Sequence, residues 1–527
     1  MNYRMTMFLI GRILLVAGAL MLLPIICILI YKEYADIYAM AIPALAIMAI
    51  GLVMGVKKPK RLRMGAKEGF ISVGLSWILM SLAGAVPFVI SGVIPHYVDA
   101  LFETVSGFTT TGSSIMRTLD FSQHHGIFLW RSLTNWIGGM GILVFMLALL
   151  PKTDSKNSKF MYAMQAESPG PKVGKIVPKL RDTARILYLI YIGLGVIEFV
   201  LLLFDKKMGV YDSLIHTLSN SGTGGFGLYG DSIAHYSVYS QYVISIFMII
   251  FATNFSIYFL ILTGNFLGAI KSEELRWFWA IIGISIVALG IGIYPMFGVE
   301  GAFRHSLFQT ASMMSTTGFA TNDFNKWPVY CKTILLILMF IGGCAGSTGG
   351  GIKVSRVIML IKTGVREIGY LLNPKAVIPV RFDGKKVDDK VIRGTASYLI
   401  IYIMLFAASW LAVSAIDGHN TVPEGHSFDI ETNFSAIASC LNNIGPGLGK
   451  IIGPAGNYAD YSYASKLILS LDMLIGRLEI FPIIIIFAPS TWLTSLKYSA
   501  NKAWIKLMGC RKPKDEIEDE DKDLDLL

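Results

Sequence analysis

Four stretches of this 527-residue chain carry the residue types that can strip and hold a cation. They read Asp99-Ala-Leu-Phe-Glu-Thr-Val-Ser-Gly-Phe-Thr-Thr-Thr-Gly112, Asp212-Ser-Leu-Ile-His-Thr-Leu-Ser-Asn-Ser-Gly-Thr-Gly-Gly225, His305-Ser-Leu-Phe-Gln-Thr-Ala-Ser-Met-Met-Ser-Thr-Thr-Gly318 and Thr432-Asn-Phe-Ser-Ala-Ile-Ala-Ser-Cys-Leu-Asn-Asn-Ile-Gly445. They align without a gap, and Ser106, Ser219, Ser312 and Ser439 each stand six residues ahead of the closing glycine. A glycine there permits a left-handed turn that aims successive carbonyl oxygens at one point, and rings of carbonyls replace a cation's hydration shell. The candidate ligands are therefore Thr110, Thr111 and Gly112, then Thr223, Gly224 and Gly225, then Thr316, Thr317 and Gly318, and finally Asn443, Ile444 and Gly445. One such turn is an ordinary loop; four in register are an internal repeat.

A second group is richer in glycine. Residues 342–351 contain Gly342, Gly343, Gly346, Gly349, Gly350 and Gly351 inside an otherwise apolar run. Each glycine costs a helix about 1 kcal/mol relative to alanine, so the helix is expected to break there. Gly346-Ser-Thr-Gly-Gly-Gly-Ile-Lys353 has the look of a phosphate loop, but it interrupts an apolar run where a phosphate loop joins a strand to a helix. Arg477 lies in the last apolar run, and a membrane-buried arginine is costly enough to suggest a function. Its structural alternative is a pair with Glu479 or a carbonyl. Glu198 reads as readily as a packing contact as a part of transport. Five cysteines without a CxxC pair support neither a disulfide framework nor zinc, and the eight histidines suggest no role.

The elements that must position these residues follow from composition. The chain is 54% apolar and 16% charged, with a mean hydropathy of +0.58, too few ionic groups to coat a soluble surface. Uncharged runs long enough for a bilayer core of about 30 Å occur at 13–31, 37–56, 70–93, 132–151, 242–270, 277–299 and 394–416. Less clean runs are 186–204, 333–352 and 467–496, giving ten expected spans, the first an anchor and not a cleaved signal. Of 46 lysines and arginines, 35 fall in segments on the side of the N-terminus and 9 on the other, with Arg131 and Arg477 inside helices. Both termini are therefore expected in the cytoplasm. The net charge of +10 is loop charge of this kind and does not point to nucleic acid.

About ten residues cannot span a bilayer, so each aligned stretch is expected to dip in as a half-helix and return, which non-helical backbone does only where it lines a cavity. The expected fold is an all-α membrane protein of ten transmembrane helices, the last eight forming four helix, half-helix, helix repeats around a pseudo-fourfold pore. Residues 1–68 hold two additional helices. The repeats occupy 69–151, 152–270, 271–363 with the glycine-rich loop 342–351, and 364–508, and 509–527 is a disordered charged tail. An organic-solute transporter with inverted repeats does not fit, because all four copies share one orientation. A membrane enzyme does not fit either, because Asp and Glu are nearly absent from the runs.

The motifs Trp130-Arg-Ser-Leu-Thr-Asn-Trp-Ile-Gly-Gly-Met-Gly-Ile142, Thr223-Gly-Gly-Phe226, Ser315-Thr-Thr-Gly-Phe319, Gly342-Gly-Cys-Ala-Gly-Ser-Thr-Gly-Gly-Gly-Ile-Lys353, Leu441-Asn-Asn-Ile-Gly-Pro-Gly-Leu-Gly449 and Gly476-Arg-Leu-Glu-Ile-Phe481 resemble the Trk/Ktr/HKT superfamily of potassium transporters. They cover about residues 70–497, and the two extra N-terminal helices resemble the bacterial Trk branch. Asn220-Ser-Gly-Thr departs from the Ser-Thr-Gly-Gly that branch usually carries. The resemblance implies potassium as substrate at the twelve filter residues, with potassium above sodium because all four closing positions are glycine. It also implies that 342–351 and Arg477 gate the pore beneath them, and a homodimer seated on a cytoplasmic, Rossmann-like, nucleotide-binding regulatory subunit of the TrkA type. It implies a multi-pass protein of the bacterial inner membrane, not an enzyme, with no cofactor of its own. The alternative is a symporter that couples potassium to protons or sodium.

Overall fold

The computed structural model describes residues 3–56, 66–141, 180–420 and 427–488. The expected tail 509–527 lies outside the described residues, as do the ends of the 132–151 and 467–496 runs. Helices α1 (Tyr3–Met21) and α2 (Pro24–Tyr31) form one 29-residue apolar stretch. The break falls before Pro24, which has no amide hydrogen to continue the ladder. Helix α3 (Asp36–Gly55) packs along α1 through small residues. A Cβ on Gly11 would stand 2.8 Å from the Gly51 carbonyl oxygen, and one on Gly51 would stand 2.9 Å from the Leu15 nitrogen, the close approach typical of packed membrane helices.

Four helical groups follow. The first is α4 (Ala66–Gly84), α5 (Val86–Ile90), the short α6 (Tyr97–Phe108) and α7 (His125–Met140). The second is α8 (Leu180–Leu202), the short α9 (Val210–Ser221), α10 (Val238–Ala252), α11 (Phe255–Leu262) and α12 (Phe266–Ile270). The third is α13 (Glu273–Ser315), α14 (Val329–Ile341) and α15 (Val354–Leu372). The fourth is α16 (Asp389–Asp417), the short α17 (Ile430–Asn442), α18 (Tyr463–Arg477) and α19 (Phe481–Phe487). Between α15 and α16 a two-stranded hairpin pairs Arg381–Phe382 with Lys385–Lys386.

Among the described residues, six stretches are long and apolar enough to cross a membrane: Tyr3–Tyr31, Asp36–Gly55, Lys67–Ile90, Ala184–Leu202, Glu273–Ser315 and Asp389–Asp417. Counting α10 and α11 as one span makes seven, although they meet at 92°. The uninterrupted span expected at 242–270 is thus bent. Thr253 is extended, and the Asn254 side chain caps α11 by accepting from the Ser256 amide at 2.9 Å. In the third group the outer helix runs into the aligned stretch as one 43-residue element, broken only at Gly298 with φ 68°. The 333–352 run ends as helix at Ile341, and the last run stops at Arg477, where Glu479 and Ile480 take positive φ.

Around an apolar core that includes Trp77, Phe102 and Trp130, the outside is also apolar and many polar residues are buried. Val53, Ile284 and Leu411 are exposed on the outside, while Glu103, Ser106, His216, Gln309 and Asn442 are fully buried. The buried polar residues concentrate on α6, α9, the end of α13 and α17. Helices α6, α9 and α17, of 12 or 13 residues, are about 18–20 Å long, short of the bilayer core.

Candidate functional site

All four aligned stretches end in the same hydrogen bonds. The amides of Thr111, Gly224, Thr317 and Ile444 donate to the carbonyls of Ser106, Ser219, Ser312 and Ser439 at 2.8, 2.9, 3.0 and 2.9 Å. The amides of Thr110, Thr223, Thr316 and Asn443 donate to residues three back, at 3.0, 2.8, 3.2 and 3.3 Å. These are the paired bonds of a Schellman ending, which needs one left-handed residue. That residue is Thr110, Thr223, Thr316 or Asn443, with φ of 56°, 57°, 63° and 57°. The left-handed position therefore falls two residues before the closing glycine, on side chains for which it costs about 1–2 kcal/mol. Gly112, Gly225 and Gly318 are left-handed as well, at 79°, 71° and 88°. Gly445 is not, contrary to the sequence expectation. It precedes Pro446, whose ring drives the preceding residue toward extended backbone.

The closing glycines also show where the four stretches sit. A Cβ on Gly112 would collide with the Gly224 carbonyl oxygen, and one on Gly225 with the Thr317 carbonyl oxygen. On Gly318 it would stand 2.7 Å from the Gly445 nitrogen, and on Gly445 it would stand 2.9 Å from the Gly112 carbonyl carbon. The segments abut in the order first, second, third, fourth and back to first. Side chains tie the ring from behind. Asn443 donates to Thr111 Oγ1 at 3.0 Å, Ser113 to the Gly445 carbonyl at 3.1 Å, Ser312 to the Phe319 carbonyl at 2.6 Å and Ser439 to the Ile444 carbonyl. All twelve candidate ligands come together at these four junctions.

The glycine-rich loop lies against the third and fourth junctions. The Gly350 amide donates to Thr316 Oγ1 at 2.5 Å, and the Gly351 amide to the Asn442 carbonyl at 3.0 Å. A Cβ on Gly349 would stand 2.8 Å from the Ser315 carbonyl oxygen, so bare backbone is what fits. The other side of the loop meets the break between α10 and α11. Cys344 donates to the Ala252 carbonyl at 2.9 Å, and the Phe255 amide donates to Gly346 at 3.1 Å. Backbone groups freed by two broken helices thus satisfy each other. Arg477 reaches the same loop, donating to the Thr348 carbonyl at 2.6 Å and to the Gly138 and Gly139 carbonyls at 2.6 and 2.5 Å. Of the two structural partners expected for it, Arg477 thus has carbonyls, while Glu479 pairs with Arg356 at 2.5 Å. Gly349, Gly350 and Gly351 therefore meet the third and fourth junctions, Gly343 and Gly346 meet the break between α10 and α11, and Arg477 joins the loop at Thr348.

Several buried charges around the loop and the junctions, apart from Glu198, were not singled out by sequence. Lys353 is buried, has φ 81° and donates to the Gly349 carbonyl. Glu274 accepts from the Ala345 amide at 2.7 Å. Glu103 and Arg131 form a buried ion pair at 2.7 Å. Glu103 also accepts from the Ile115 amide at 2.9 Å, while Arg131 donates to the Gly227 carbonyl at 3.0 Å and lies 3.6 Å from the Phe226 ring center. One pair thus braces the chain leaving the first and second junctions. The available signal was Arg131 as the one lysine or arginine of α7 and Glu103 as a second acid, after Asp99, on α6. Glu198 contacts the second stretch directly, accepting from Asn220 Nδ2 at 2.6 Å. The Asn220 that departs from the usual motif is thus held by an acid from α8.

The sequence profile of TrkH, described as a cation transport protein, matches residues 39–495. The chain belongs to the TrkH family. It is 33% identical to the Trk system potassium uptake protein TrkH of Salmonella typhimurium, over 93% of this chain and 100% of that protein. It is 32% identical to TrkH of Escherichia coli K12 over the same shares. The crystal structure of the potassium transporter TrkH from Vibrio parahaemolyticus superposes with a TM-score of 0.80 at 29% identity, covering 93% of this chain and 100% of that one. TrkH-family membership and the apolar helices make this a multi-pass membrane protein of a transport family, not a member of an enzyme family.

Proposed function

We propose that this chain is the ion-conducting membrane subunit of a bacterial potassium uptake system. The observation that carries the reading is the closed order of four Schellman-type junctions, each turning consecutive backbone carbonyls at a helix C-terminus. A helix C-terminus is the negative end of its dipole, so four of them around one axis favor a cation. Potassium sheds its water onto the carbonyls of Thr110, Thr111, Gly112, Thr223, Gly224, Gly225, Thr316, Thr317, Gly318, Asn443, Ile444 and Gly445. The relatives named for potassium uptake support the choice of ion.

In this reading the four helical groups are four repeats of one pore, and the N-terminal pair α1 to α3 stands outside it. Loop 342–351 and Arg477 form the gate, because a guanidinium next to bare backbone below the ring repels a descending cation. The chain works as a homodimer in the inner membrane, with both termini cytoplasmic and a Rossmann-like nucleotide-binding subunit of the TrkA type opening the gate. Rubidium uptake in a potassium-starved strain tests the function. Expression of the chain with its partner subunit should restore uptake that potassium competes away and sodium does not. Uptake no greater than in the empty strain, with the protein inserted, refutes the proposal.

A further inference from the structure

We infer that Glu33 is a positioning residue for the gate, acting through helix α7 from the far side of the membrane layer. The inference rests on the reading of Arg477 as the gate charge. Helix α7 is held at both ends by charges from other parts of the chain. At its start, Glu33 accepts from the His125 amide at 2.9 Å, from His125 Nδ1 at 2.6 Å and from the Gly126 amide at 3.3 Å. At its other end, the Gly138 and Gly139 carbonyls accept from Arg477. A carboxylate sits at the positive end of the helix dipole and a guanidinium at the negative end, so each favors the same placement of α7.

The outer contact is more than one ion pair. His124 Nδ1 lies 2.8 Å from Asp36, and the His125 ring stacks on Tyr31 at 3.7 Å with 5° between planes. A Cβ on Gly126 would collide with the Ile28 side chain, so α2 lies directly on the first turn of α7. The N-terminal pair thereby grips one end of a 16-residue helix whose other end presents the carbonyls that fix Arg477. Along α7, Gly138 and Gly139 pack against Phe108 and Gly222, so a Cβ on Gly139 would stand 2.7 Å from Gly222 Cα. A shift of α7 along its axis therefore moves the Arg477 acceptors relative to the first and second junctions. This gives the N-terminal helices a task, which is to set where the gate charge rests.

The test uses the full chain in vesicles without its partner, comparing wild type, Glu33→Ala, Arg477→Ala and the double variant. Initial rubidium influx is read at a clamped potential, and hydrogen exchange is read over the loop 342–353. Glu33→Ala should raise influx three- to tenfold and speed loop exchange, and the double variant should match Arg477→Ala alone. Glu33→Gln, which keeps one oxygen to accept from the His125 amide but loses the charge and the second acceptor, should fall between wild type and Glu33→Ala and covers the case where alanine fails to insert. If Arg477→Ala raises influx but Glu33→Ala changes neither influx nor exchange, or the two effects multiply, the clamp is wrong and the gate stands. If Arg477→Ala leaves influx unchanged, the gate reading fails. Loop exchange then decides the clamp alone, faster exchange in Glu33→Ala supporting it and unchanged exchange overturning it.

Discussion

At Gly112 the space for a side chain is taken by the Gly224 carbonyl oxygen, and the backbone is already left-handed at φ 79°. Serine there must push the first and second junctions apart, which widens the ring and weakens its hold on a bare ion. Gly112→Ser is expected to lower the rubidium to sodium permeability ratio on the order of tenfold, about 1.4 kcal/mol. The reversal potential under bi-ionic conditions measures it, and an unchanged potential counts against the filter assignment. Gly445 differs, since its φ is not left-handed and Pro446 fixes the chain beyond it. The four glycines shared one sequence signal, but their neighbors divided them. Left-handed Thr110, Thr223, Thr316 and Asn443 were legible only as threonine or asparagine near a glycine. Their φ is set by the Schellman bonds, which depend on where each helix stops.

At the scale of elements, the loop and three broken helices depend on one another. Helix α14 ends at Ile341 and α10 bends at Thr253, and loop 342–351 bonds backbone that those two breaks release, while the Arg477 side chain at the end of α18 bonds the Thr348 carbonyl. Six glycines made the break at 342–351 legible. The bend at 253–254 was not, because its apolar run reads as continuous and only Asn254 marks it. If the loop and Arg477 block the path, shortening the loop or making Arg477→Ala should each raise rubidium influx ten- to a hundredfold. That corresponds to a barrier of about 1–3 kcal/mol from a partly screened charge. Both variants should also depend less on the partner subunit. Lower or equal influx in both, with normal insertion, would make the loop and the arginine structural.

At the scale of the whole molecule, the proposed pore is expected to carry potassium down its electrochemical gradient. One charge moving through 100 mV gains about 2.3 kcal/mol, so inward flux needs no chemical fuel if the membrane potential drives it. Rubidium accumulation in vesicles is therefore expected to follow the imposed potential and not to change with an imposed proton or sodium gradient at fixed potential, with nucleotide altering the rate and not the limit. Accumulation that survives at zero potential would require a coupled ion instead. By itself the sequence determined the membrane as solvent, the four aligned stretches, the glycine-rich break and the outlying arginine, because hydropathy, spacing and glycine content are local properties. Only the tertiary structure decided that Arg477 binds Gly138, Gly139 and Thr348 in place of Glu479, that Glu103 finds Arg131, and that Glu33 caps α7. A buried charge must find a partner, but which one depends on helices distant in sequence meeting in space.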